Sequence, residues 1–213
     1  MKRPAQRPGV GGEGTLSLLG RANSTEREEE FFGAVDSLLP ARLAGIAPGI
    51  RFADNSTFNL MGNLTFTGTS WGEYVYGTKG NDTLKGLGGG DMLYALEGDD
   101  VLYGGADTDT LYGGSGADTF GFAPDTLGSV DTIADFSLAQ NDEIDISQLI
   151  EGYDPVTHAI TDWVEITTND SDSTLKIDSD GGGNSFVQIA TISGVTGLTD
   201  EAALVTSGHL IAA

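Results

Sequence analysis

Residues 77–121 read GTKGNDTLK, GLGGGDMLY, ALEGDDVLY, GGADTDTLY and GGSGADTFG, five consecutive blocks of nine residues. Each block carries an acid at its sixth position: Asp82, Asp91, Asp100, Asp109 and Asp118. Each carries a large apolar residue at its eighth: Leu84, Leu93, Leu102, Leu111 and Phe120. A fixed short period marks a repeat architecture, and it has to be settled before any helix or strand is assigned.

The chemistry of one block suggests its shape. Glycine adopts positive φ without penalty, so the first six residues can turn tightly. The last three, such as Thr83-Leu84-Lys85, make a minimal strand whose middle side chain points inward. Each block is then half a coil and two blocks make one flattened turn. Stacked turns pair the strands of blocks i and i+2 and line up the leucines as a thin core. The carboxylates of those blocks then lie roughly 5 Å apart, the spacing between strands. At an effective dielectric of about 20, two ionised carboxylates at that distance repel by on the order of 3 kcal/mol. Without a cation the stack is not expected to form.

A hard cation removes the conflict. Calcium takes six to eight oxygen ligands in a flexible shell, and these turns offer carboxylates together with peptide carbonyls. Magnesium demands a tighter octahedron and keeps its waters. Zinc prefers His or Cys, and the chain has no Cys and two His, at His158 and His209, far from the repeats. The expected ligands are therefore the carboxylates of Asp82, Asp91, Asp100, Asp109 and Asp118. The turn backbone at Gly77, Gly80, Gly86, Gly89, Gly98, Gly104, Gly113 and Gly116 supplies candidate carbonyls. Pairing blocks i and i+2 gives three full sites: Asp82 with Asp100, Asp100 with Asp118, and Asp91 with Asp109. Three or more calcium ions are expected. Upstream, GTSWGEYVY (68–76) keeps the period with Glu73 at the acid position, and Glu73 with Asp91 makes a weaker fourth site.

These blocks resemble the glycine- and aspartate-rich nonapeptides of the RTX (repeats-in-toxin, hemolysin-type calcium-binding repeat) family. The resemblance implies an all-β chain: a right-handed parallel β-roll stapled by calcium, secreted from a Gram-negative bacterium by a type I system. Two blocks depart from the pattern. Ala95 and Leu96 replace the leading glycines of the third, and Asp107 stands at the fourth position of the fourth. Those turns are expected to be less ideal.

After Phe122 the period lapses into VDTIADFSLAQNDEIDISQLI (130–150), which resembles the segment following the repeats in RTX proteases, epimerases and large adhesins. By that resemblance Asp131 and Asp135 lie where the roll ends, with Asp135 a candidate ligand of a last calcium turn. Read from the residues alone, Ile133, Phe136, Ile144 and Ile146 form a hydrophobic cap over an otherwise open core. Further on, 163–168, 174–178 and 186–192 alternate as strands, and DSDGGGN (178–184) is a turn between two of them. The last stretch, GLTDEAALVTSGHLIAA, resembles the ending of type I secretion target domains on bacterial adhesins. The expected organisation is residues 1–55 as a linker with an amphipathic helix, 56–130 as the roll, and 131–213 as cap and secretion target domain. Within 1–55, Ser24 to Leu39 has the capping spacing of Thr25 and Glu28 and one apolar face. That short N-terminal helix fits either a cap on the roll or a piece of an upstream domain.

Charge narrows the partners. The net charge is −22; residues 56–213 hold three basic and twenty-five acidic residues, so they carry all of it. Nucleic acid and anionic membrane surfaces are excluded as partners. No run of 18 apolar residues is present to span a membrane, and Lys2 and Arg3 are followed by no apolar region of a Sec signal. The expected partner is a type I secretion apparatus, its inner-membrane exporter and adaptor engaging the C-terminus, with the module itself monomeric and extracellular or at the cell surface. Two isolated histidines cannot make H-E-x-x-H, and no nucleophile constellation appears, so no enzyme is expected. The alternative function is a carbohydrate- or ice-binding surface built on Tyr76, Tyr94 and Tyr112, spaced by eighteen on one outer face, with Tyr103 and Lys85 on the other.

Overall fold

The computed structural model describes the backbone of residues 50–51, 57–58, 62–150 and 152–213. The helix expected over 24–39 lies outside the described residues. A short antiparallel pair, β1 (Ile50–Arg51) and β2 (Thr57–Phe58), precedes the main body.

The repeats form a parallel β-roll. Its strands are β3 (Thr65–Thr67), β4 (Tyr74–Tyr76), β5 (Thr83–Gly88), β6 (Met92–Glu97), β7 (Val101–Ala106), β8 (Thr110–Ser115), β9 (Thr119–Gly121), β10 (Asp131–Ile133) and β11 (Glu143–Asp145). Odd and even members fall in different sheets. One sheet runs β11-β9-β7-β5-β3 and the other β10-β8-β6-β4, every pairing parallel. The eighteen-residue register is direct: Leu84 lies beside Leu102 and Leu93 beside Leu111. Leu84, Leu93, Leu102, Leu111 and Phe120 are fully buried between the sheets, with Val75 ahead and Ile133 and Ile144 behind.

The strands are longer than the three residues the block pattern suggests. β5 to β8 each have six, running on through the first three residues of the following block. Beyond the inward leucine, the residue two positions on also faces inward, at Gly86, Ala95, Gly104 and Gly113. The next residue turns left-handed, with φ of 75° at Leu87, 87° at Leu96, 104° at Gly105 and 99° at Gly114. The departures noted at Leu96 and Asp107 (φ 74°) are thus non-glycine residues in glycine's conformation, and Leu87 joins them.

Beyond the roll a compact cap continues both sheets. β12 (Val164–Thr168), β13 (Ser173–Ile177) and β14 (Val187–Ile192) form an antiparallel set, and β14 then lies parallel to β10. On the other sheet β15 (Leu210–Ile211) pairs with β11. The cap residues Ile133, Phe136, Ile144 and Ile146 are buried, and Leu149, Ile150, Trp163, Ile166, Leu175, Ile177, Ile189 and Ile192 extend their cluster. One feature escaped the sequence reading: α1 (Glu201–Ser207), capped by Asp200, which accepts from the amide of Ala203 at 2.9 Å, and closed by left-handed Gly208. Glu201 on this helix accepts the amide of Ile166 at 2.7 Å, tying α1 to β12, the strand at the end of its sheet.

Candidate metal centre

The block acids form two ladders, one along each sheet. On the first, the Asp82 amide donates to Oδ1 of Asp100 at 2.6 Å and the Asp100 amide to Oδ1 of Asp118 at 2.9 Å. On the second, the amide of Glu73 donates to Asp91 at 2.7 Å and that of Asp91 to Asp109 at 2.7 Å. Every pair expected from the i, i+2 rule is therefore adjacent in space. The ladders also run further than the repeats. The Asp109 amide donates to Asp131 Oδ1 at 3.0 Å and the Asp118 amide to Asp142 Oδ1 at 3.1 Å.

Asp142 was missed by sequence reasoning, and Asp131 was noted only as lying at the roll's end. The signal that finds them is an acid followed two residues later by a buried apolar residue. Asp131-Thr132-Ile133 and Asp142-Glu143-Ile144 repeat the pattern of Asp118-Thr119-Phe120. Longer turns between them hide the period.

The second oxygen of each carboxylate matters more. In Asp91, Asp100, Asp109, Asp118 and Asp131 it is buried and has no hydrogen-bond partner. An unsatisfied buried charged group costs on the order of several kcal/mol, more than the ~1.5–3 kcal/mol that burying the one leucine of a block returns. Peptide oxygens crowd the same points: a Cβ on Gly86 would collide with Asp91 Oδ2 and with the carbonyl of Gly104. At Gly77 it would collide with Asp82 Oδ2 and sit 2.5 Å from the carbonyl of Ala95. At Gly86 the carboxylate oxygen has no donor, whereas at Gly77 the Thr78 amide reaches Asp82 Oδ2; a carboxylate and a peptide oxygen brought to one turn are the donor set of a hard cation. Among the described residues no three His, Cys, Asp or Glu side chains are placed to hold a metal by themselves. The peptide carbonyls of the turns have to complete any shell, and the residues fit calcium on those terms.

The ladder ends are different. Asp82 Oδ2 accepts the Thr78 amide at 2.5 Å, and Glu73 accepts both the hydroxyl and the amide of Thr69. Asp142 Oδ2 accepts the Ser137 amide at 2.8 Å. Asp135 directs both oxygens at backbone, taking the amides of Gly113 and Gly114 at 2.9 and 3.0 Å. It closes a turn, and neither of its oxygens is left over.

The electrostatics follow from burial. Desolvation pushes Asp91, Asp100 and Asp131 up to about 7, and Asp109 and Asp118 up to about 6, from an ordinary 3.8. Backbone amides pull the other way and neighbouring carboxylates add to the rise. Asp135 and Asp142 are raised as well, again chiefly by burial. The loop at 178–184 behaves oppositely. Asp178 is held down at about 2 by the amides of Asn184 and Ser185, both of which it accepts through Oδ2. Its carboxylate is spent on shaping its own loop.

The outer faces carry the aromatic residues. Tyr94 stacks on Tyr76 at 4.8 Å and on Tyr112 at 4.5 Å, so within this row the ring faces are turned to one another. On the other sheet Lys85 sits 5.0 Å above the Tyr103 ring.

Residues 67–100 and again 85–120 match the RTX calcium-binding nonapeptide repeat, a family model of four copies. Two solved structures are similar to the chain. The solution structure of the AlgE6R2 subunit from the Azotobacter vinelandii mannuronan C5-epimerase is 26% identical, covering 65% of this chain and 91% of that one, with a TM-score of 0.43. The AlgE6R3 subunit of the same enzyme is 25% identical, covering 78% and 86%, with a TM-score of 0.34. No curated protein matches the chain.

Proposed function

We propose that this chain, whose residues 67–120 are RTX calcium-binding repeats, is a calcium-folded export module and not an enzyme. It is the C-terminal part of an adhesin- or toxin-like type I secretion substrate. The observation that carries the calcium part is the five buried carboxylate oxygens without partners, those of Asp100 and Asp118 on one ladder and of Asp91, Asp109 and Asp131 on the other. They are arranged to share a cation between successive turns, and they repel one another when it is absent. Such a chain stays open where free calcium is scarce and closes where it reaches about 10⁻⁴ to 10⁻³ M, the range of extracellular modules. An unfolded chain is what a narrow export channel requires.

Residues 131–213 serve two ends in this reading: they cover the trailing end of the roll and present the signal read by the exporter and its adaptor. Two features support it. The end of the chain resembles type I target domains, and β14 and β15 continue the two sheets past β10 and β11, over the end of the roll. The metal supplies charge neutralisation and cross-linking of turns. The chain's own residues position it: amides of the preceding turn fix Oδ1 of Asp91, Asp100, Asp109, Asp118 and Asp131, and Oδ2 of these five is left free for the ion. The test has two arms. Calorimetric titration of the whole chain with calcium gives saturable binding, with little heat from magnesium. Deleting 131–213 in a host carrying the cognate exporter stops secretion. Normal secretion of the truncated chain refutes the export reading and leaves the calcium reading standing.

A further inference from the structure

Each carboxylate ladder has two ends, and three of the four are tied off by donors of the protein. At the leading ends Glu73 is held by Thr69 and Asp82 by Thr78. At one trailing end Asp142 spends its oxygens on the amides of Asp118 and Ser137. The fourth end is Asp131. Its side chain is 1% exposed, Oδ1 accepts the amide of Asp109, and Oδ2 has no partner at all. The next strand cannot supply one, because β14 places Ala190 beside Asp131. Asp109, one step back, has the same orphaned Oδ2.

From this we infer that Asp109 and Asp131 share a further calcium site, lying beyond the nonapeptide repeats and using the non-repeat turn 122–130 in place of a glycine-rich one. The inference rests on the calcium reading above. It also moves the last metal position from Asp135, whose oxygens are taken by Gly113 and Gly114, to Asp131. The two sheets then end differently. One is closed by an ion at Asp131 and the other by the Ser137 amide on Asp142, without metal. The thirteen-residue step from Asp118 to Asp131 replaces the nine-residue one, so the site keeps the acid and the apolar residue of a block but lies outside the nine-residue period.

Asparagine is nearly isosteric with aspartate and keeps the oxygen that accepts the Asp109 amide, while removing the charge a cation needs. Equilibrium dialysis against calcium-45 counts ions per chain at saturation. Asp131→Asn is expected to bind one ion fewer than the parent, and Asp142→Asn the same number as the parent. An unchanged count in Asp131→Asn overturns the inference while leaving the calcium reading intact; a parent chain that binds no calcium overturns both. Because a variant can fail to fold, the parent chain crystallised in calcium provides the second measurement. An ion in contact with Asp131 Oδ2 supports the site, and a calcium-loaded roll with none there refutes it.

Discussion

The amide of Asp100 donates to Oδ1 of Asp118, eighteen residues along the chain and one turn along the roll. Asp100 in turn accepts the amide of Asp82. Oδ2 of Asp100 and of Asp118 is buried and unpartnered, whereas Oδ2 of Asp82 is held by Thr78. The three acids look alike in sequence and have different surroundings. Asp100 and Asp118 each keep an Oδ2 open to an ion, and Asp142, which follows Asp118, is closed by the Ser137 amide. Asp100→Ala and Asp118→Ala are therefore expected to raise the calcium midpoint of folding by about tenfold, or about 1.4 kcal/mol. Asp82→Ala is expected to raise it by a smaller factor. Calcium titrations of the three variants followed by circular dichroism decide the order, and equal shifts contradict it.

Protons and calcium compete for the same oxygens, with opposite signs in the two states. In the calcium-free roll Asp91, Asp100, Asp109, Asp118 and Asp131 titrate at about 6 to 7, against 3.8 when exposed. Between those values the folded form binds more protons than the unfolded one, so stability falls as pH rises. In chelator, any residual folding is expected to be greatest at about pH 4 and below, to weaken steadily above it, and to be lost above pH 7. With calcium present the chain folds from an open form whose carboxylates titrate near 3.8, so the midpoint concentration is expected to stay nearly level from pH 7 to 5 and to rise only below about pH 4.5. A midpoint that stays equally level below about pH 4 removes the buried carboxylates from the ligand set.

Leu87 and Leu96 occupy left-handed backbone at φ 75° and 87°, where their counterparts in the next two blocks are glycines. A side chain there costs about 1–2 kcal/mol, offset in part by the ~0.5–1 kcal/mol entropy penalty of glycine. Leu87 is 46% exposed, so little packing is lost on its removal. Leu87→Gly is expected to stabilise the calcium-loaded roll by a few tenths of a kcal/mol to about 1 kcal/mol in urea melts. Destabilisation of more than that contradicts the strain assignment.

Tyr94 is stacked on both sides, Tyr76 and Tyr112 on one each. Each aromatic pair adds about 0.5–1.5 kcal/mol beyond buried area. Tyr94→Ala is thus expected to lose about twice the pair energy lost by Tyr112→Ala. A double-mutant cycle between Tyr94 and Tyr112 measures it, and zero coupling denies the row a structural role.

How much could be read from the sequence depended on whether a local rule acts in every block. The inward leucines, the alternation of sheets and the i, i+2 pairing all follow from a nine-residue period, and the structure places Leu84 beside Leu102 accordingly. The cap's apolar residues and its strands near 164–168, 173–177 and 187–192 were legible from alternation. The strand lengths were not, because Gly86 and Ala95 look like turn residues until their inward position beside the carboxylates is seen. Helix α1 escaped because the stretch was read by likeness and not by its Asp200 and Gly208 caps. Asp142 escaped, and Asp131 was placed only at the end of the roll, because steps of thirteen and eleven residues between acids break the period while keeping the acid and the apolar residue in step. Which oxygens are already satisfied, as in Asp82, Asp135 and Asp142, depends on amides from other turns that no spacing reveals.

The claim on which the rest depends is that binding of calcium is the folding of the roll. Far-ultraviolet circular dichroism of the chain at pH 7.5, first in chelator and then in millimolar calcium, tests it most directly. A largely unstructured repeat region in chelator that converts cooperatively to β-structure on adding calcium, and does not with equal magnesium, is the predicted result. A full β-signal in chelator that calcium leaves unchanged contradicts the account.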